Sequence, residues 1–183
     1  MAYELDSFDL YTGRQKQPDF LALNPMGKVP LVVCDQIPIS ETGAIAVYLA
    51  DRFTAAGLAP AIDDPQRPAY LRWMFFTAGV LEPALGQKFF KWEVPARSVA
   101  WGSFEHMQEV LTAAVKDSQW LLGDRFSAAD VVVGSGARFG VMFGAFEKQG
   151  PIAEYVSRLT ERDACKRAEA IEQREAERFP LPK

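Results

Sequence analysis

An acid and a hydroxyl stand side by side at Glu41 and Thr42, just ahead of the helix-spaced run Ile45, Tyr48, Leu49 and Phe53. The first turn of a helix has N–H groups without helical partners and a partial positive charge, so it can hold a carboxylate. A threonine hydroxyl placed there can donate to the same carboxylate, while a glutamate can accept from an ammonium. The pair also makes an ordinary good helix start, with Ser40 as a plausible N-cap. Upstream, Lys28-Val29-Pro30 leads into the apolar run LVVC. An X-Pro bond is where a cis peptide is most readily accommodated, and proline is equally at home as the trans first residue of a strand. The two clusters together hold much of what is needed to grip a small charged peptide.

Other chemistry has little to build on. One histidine, His106, sits beside Glu105 and Gln108 on an amphipathic helical pattern and reads as a solvated helix face, not as a ligand or a triad member. Cys34 and Cys165 are far apart with no CxxC spacing, so a disulfide scaffold is not expected and a reducing compartment fits better. The aromatic residues Trp73, Phe75, Phe76, Phe89, Phe90 and Trp92 suit either core packing or an apolar pocket.

The elements that must position the two clusters follow from period and punctuation. Residues 3–10, YELDSFDL, alternate imperfectly and are expected as a strand, followed by a loop over YTGRQKQ. PDFLAL allows a short helix opened by Pro18 and ended before Pro25. VPLVVCD and IPIS read as two strands of a hairpin, and from Ser40 the period becomes helical. The Pro- and Gly-containing stretch from Thr54 to Pro68 lacks periodicity and sets a boundary: a first domain over 1–55, a linker over 56–65, an all-helical domain over 66–183. Within the latter, RPAYLRWMFFTAGVLEPAL is an apolar helix interrupted near Pro83, and Phe104, Met107, Leu111 and Ala114 share one helical face. Gly134, Gly136, Gly140 and Gly144 would permit close helix approach, and charged helices are expected near 151–161 and 163–178. Ser127 and Asp130 form a capping-box variant flanked by Phe126 and Val131 as a hydrophobic staple, a structural device.

Bulk composition narrows the partners. Of the 183 residues, 49% are hydrophobic and 24% charged, with a net charge of −4, so no basic surface for nucleic acid or anionic membrane is expected. No apolar run is long enough for a transmembrane helix. The N-terminus MAYELDSFDL has no basic-then-apolar leader pattern, which points to the cytoplasm.

Five stretches in order carry a family resemblance. FLALNPMGKVPLVV is similar to the NPxGxVPxL stretch of the glutathione S-transferase superfamily, and ISETGAIAVYLADRF to its ES-x-AI-x-x-YLA helix. RWMFFTAGVLEPAL resembles the first helix of the C-terminal domain in bacterial members, LLGDRFSAADVVVG the G-x-x-F-S-x-A-D motif, and RDACKRA the RPA-x-x-RA ending. The resemblance implies a thioredoxin-like α/β N-terminal domain, here truncated, followed by an all-α helical bundle. It also implies a site for glutathione as cosubstrate, with no other cofactor and no metal. Val29 and Pro30 would present backbone groups to the cysteinyl unit, in the manner of an added strand. Glu41 and Thr42 would hold the charged γ-glutamyl end, with Lys28 beside them; Arg14 and Lys16 could approach a carboxylate. Thr42 departs from the usual serine by one methyl group. A small hydrophobic electrophile as second substrate and a homodimer are further implications.

The family's first βα unit, which carries the catalytic Tyr, Ser or Cys, finds no counterpart, because AYELDSFDL matches the second strand. The catalytic residue is therefore unknown at this level; Tyr3, Ser7 and Tyr11 are local substitutes that would have to relocate. By resemblance the omitted strand lies between the second and third strands. Either the protein is longer, or YELDSFDL shifts into that place, or the N-terminal region is remodelled. Two functions follow: a glutathione transferase, or a non-catalytic binding or scaffold relative.

Overall fold

The computed structural model describes residues 2–180. Residues up to Glu41, together with those from Glu161, form one compact unit, and Thr42–Thr160 form the other.

The first unit is built around a hairpin. After two single 3-10 turns (Leu10–Thr12, Arg14–Lys16), α1 runs from Pro18 to Leu23 with proline in its first turn, where its missing N–H costs nothing. Strands β1 (Leu31–Cys34) and β2 (Ile37–Ser40) pair antiparallel, Leu31 opposite Ser40 and Cys34 opposite Ile37. The connecting residues Asp35 and Gln36 both have positive φ, 50° and 65°, the backbone of a two-residue hairpin turn whose twist matches the strands. This is the hairpin expected from VPLVVCD and IPIS.

The strand expected over residues 3–10 does not form. Among the described residues the only sheet is the two-stranded one, and the segment up to Asp9 is unpaired, with Tyr3 and Leu5 exposed. A strand exists only through a neighbour's backbone, and an alternation that breaks at Ser7 and Phe8 gives this one no buried face to fix a register. Phe8 is anchored, edge-on to the buried ring of Phe20 at 5.8 Å, and Asp9 accepts from Tyr11 N and Thr12. Within the same unit, α8 (Asp163–Arg178) has no buried residue.

The second unit opens with α2 (Thr42–Arg52). Ser40 is not its N-cap: the residue is held in the ladder opposite Leu31, and Glu41, at φ 70°, makes the corner between strand and helix. The segment 56–65, expected as a linker, is tied into this unit. Leu58 O accepts from Ala128 N, Arg125 donates to Asp64 and to Ala59 O, and Arg67 donates to Pro60 O. Helix α3 (Arg67–Phe76) passes through a π turn (Thr77–Leu81) into α4 (Glu82–Phe90). The interruption thus precedes Pro83. Proline cannot donate to a carbonyl one turn back, and Glu82 N bonds Thr77 O instead, one residue further than in an α-helix.

Helices α5 (Phe104–Val115), α6 (Ala128–Met142) and α7 (Pro151–Thr160) complete the unit. Phe104, Met107 and Leu111 are buried as expected, Ala114 is half-buried against the same core, and Val115 joins the stripe. Gly134, Gly136 and Gly140 of α6 let Leu159, Leu81 and Phe146 respectively approach the helix backbone, where a methyl group would collide. Gly144 does not join them; it lies beyond the helix at φ 76° with open space around it. The capping box forms: Ser127 Oγ accepts from Ala129 N at 3.2 Å and Asp130 accepts from Ser127 N at 2.9 Å. Val131, the expected staple partner, stays half exposed.

Candidate functional site

Val29-Pro30 and Glu41, singled out in the sequence, meet at one end of the hairpin. Leu31 and Ser40 are the last pair at that end, so Pro30 and Glu41 stand one residue beyond it on either side. The Val29–Pro30 peptide is cis. Val29 is half exposed, and among the described residues its backbone makes no hydrogen bond. Its N–H and C=O are thus available to an extended peptide laid alongside, as in strand addition.

The loop before it is fixed by a side chain that sequence reasoning did not single out. Asn24, 3% exposed, donates from Nδ2 to Lys28 O at 2.7 Å and accepts from Met26 N at 3.1 Å. Its own carbonyl accepts from Gly27 N at 2.8 Å. Gly27, at φ 58°, is pressed against Gln15 O and the Lys16 side chain, so a larger residue there would displace the loop. Asn24 opens the NPMGKVP stretch; the signal that could have found it is an amide at the end of a short helix, where it can bond the backbone locally.

Of the two upstream cations, Lys16 bonds this loop and Arg14 bonds α1. Lys16 Nζ donates to Met26 O at 3.0 Å. Arg14 forms a two-pronged pair with Asp19 at 2.9 and 2.8 Å, and this hydrogen bonding holds the Asp19 carboxyl below its usual range. Lys28 is exposed.

Glu41 is exposed and left-handed, one of four non-glycine residues at positive φ among those described. Such backbone costs about 1–2 kcal/mol for a residue with a side chain, and it is a recurrent feature of ligand-holding positions. The turn points the chain from the strand into α2, whose first residue, Thr42, is also exposed. Tyr3 and Tyr11 are exposed and Ser7 is half buried. Cys34 and Cys165 are free, half-buried thiols. No cluster of metal-ligand residues occurs among the described residues.

The model of the glutathione S-transferase N-terminal domain matches residues 1–51, the segment that holds the hairpin and α2. Glutathione S-transferase GST-4.5 of Xanthomonas campestris pv. campestris is 30% identical over 138 residues, 71% of this chain and 67% of that protein. The chain belongs to the glutathione S-transferase family.

Two further likenesses set the scale of the match. The disulfide-bond oxidoreductase YfcG of Escherichia coli is 30% identical over 142 residues, 70% of this chain and 65% of that protein. This chain therefore spans a little under two thirds of that relative's length. A sphingomonad glutathione S-transferase complexed with glutathione aligns at a TM-score of 0.70 and 26% identity, over 86% of this chain and 80% of the other. The family fold agrees with what the sequence implied: a small sheet with helices in the thioredoxin-like part, and a helical C-terminal part. Among the described residues, no helix of this glutathione S-transferase family member is long and apolar enough to cross a membrane.

Proposed function

We propose that this chain binds glutathione at the open end of the β1–β2 hairpin and uses it, as a glutathione S-transferase, on a small hydrophobic electrophile. The observation that supports this best is the ladder register, which sets Val29-Pro30 and Glu41 at one end of the hairpin. The backbone of Val29, a half-exposed residue, pairs with the cysteinyl unit. The Glu41 carboxylate accepts from the γ-glutamyl ammonium. Thr42, the next residue along the chain, supplies a hydroxyl suited to the carboxylate on the same carbon. Lys28, exposed beside Val29, adds positive charge near the rest of the peptide. In the reaction the glutathione thiol gives up its proton to solvent, and the thiolate sulfur forms a new bond to carbon as the electrophile's leaving group departs as an anion, or as its ring opens and the freed heteroatom takes a proton from solvent. No residue is assigned to stabilising that thiolate. Glutathione is the cosubstrate and no other cofactor is invoked. A homodimer in the cytoplasm completes the reading.

Calorimetry with glutathione tests the site. Loss of a charge-assisted hydrogen bond is worth about 1.5–3 kcal/mol, so Glu41→Ala should weaken binding roughly ten-fold or more. Equal affinity in the two proteins rejects the assignment. Conjugation of an aromatic halide, measured against the spontaneous rate, separates the two functions. Binding without turnover means a glutathione-holding scaffold in place of a transferase.

A further inference from the structure

We draw no further inference here: the strongest candidate, the exposed aromatic patch of the helical unit where Phe89 near the end of α4 meets Phe139 and Phe143 at the end of α6, has nothing in the structure to show what covers it.

Discussion

Tyr155 donates its hydroxyl to Asp130 Oδ1 at 3.1 Å, and neither side chain reaches solvent. The same carboxylate accepts from Leu121 N at 2.9 Å and from Ser127 N at 2.9 Å. One buried acid thus joins the loop after α5, the cap of α6 and the middle of α7. Burial pushes its carboxyl above the ordinary range, opposed by these hydrogen bonds, and pushes the Tyr155 phenol up as well. Asp130→Ala would take this acceptor from two backbone N–H groups and from the hydroxyls of Tyr155 and Ser127. At about 1–3 kcal/mol for each buried orphan, a loss of about 3 kcal/mol or more is expected in urea unfolding. Tyr155→Phe, which removes one donor and leaves the capping bonds in place, should cost about 1 kcal/mol. Comparable losses from the two variants would mean that the capping bonds contribute little.

Acid should act on the helical unit through Asp51 and Asp64, not through Asp130. Hydrogen bonds from Arg67 hold the Asp51 carboxyl below its usual range, and bonds from Gln66 N and Arg125 do the same for Asp64. A depressed carboxylate stabilises the fold above the unfolded value of 3.8, and that contribution is lost as pH falls through the folded value. Asp130, raised by burial, has the opposite sign: protonation removes a cost of burying charge, so it contributes no acid loss. Asp51→Asn should therefore lower stability by about 1 kcal/mol near neutral pH, the modest value fitting a half-exposed pair. It should also flatten the fall in urea midpoint below about pH 4. A variant that keeps the full acid dependence would show that the Arg67 pair is not its source.

How far these features can be read in advance depends on how local their causes are. The hairpin, the short helix behind Pro18 and the helix boundaries at 151–160 and 163–178 rest on neighbouring residues, and each is legible. Residues 3–10 mislead because a strand is a property of two segments, and alternation in one of them says nothing about the other. Ser40 resembles a cap because serine caps helices. The ladder claims it instead, and the left-handed turn falls on Glu41, a residue type with no bias toward that backbone. At the site, Val29, Pro30, Glu41 and Thr42 are visible as motifs. The hydrogen bonds of Asn24 and Lys16 are not, since they go to carbonyls of a loop whose shape only folding reveals.

Two buried hydroxyls without a partner offer a gain in stability. Tyr70 Oη and Thr77 Oγ1 form no hydrogen bond, and both residues are at most 4% exposed. Burial pushes the Tyr70 phenol up to about 12. An unpaired buried polar group carries its desolvation cost with no return, so removing it while keeping the shape is favourable. Thr77→Val and Tyr70→Phe should each raise stability by about 1 kcal/mol, seen as a higher urea midpoint at unchanged slope. Removing the Tyr70 hydroxyl leaves its ring in place under the Arg67 guanidinium, which sits 5.2 Å from the ring centre in the native protein. A loss on either substitution would show that the hydroxyl does find an acceptor in solution.

The backbone and the carboxylate of Glu41 can be separated by two substitutions. Glu41→Ala and Glu41→Gly both delete the acceptor proposed for the γ-glutamyl ammonium, so both should weaken glutathione binding to the same degree. They differ in what they do to the corner between β2 and α2. Alanine keeps a Cβ at φ 70° and with it the cost of left-handed backbone. Glycine removes that cost but brings more freedom to the unfolded chain, a penalty of about 0.5–1 kcal/mol that offsets part of the relief. The glycine variant should therefore match or exceed the alanine variant in stability, by up to about 1 kcal/mol. Paired urea unfolding and glutathione calorimetry read the two effects independently. If the glycine variant kept native affinity, the ammonium contact would have to be sought elsewhere than the Glu41 side chain. If instead it were clearly less stable than the alanine variant, the corner at Glu41 would not be a strained one.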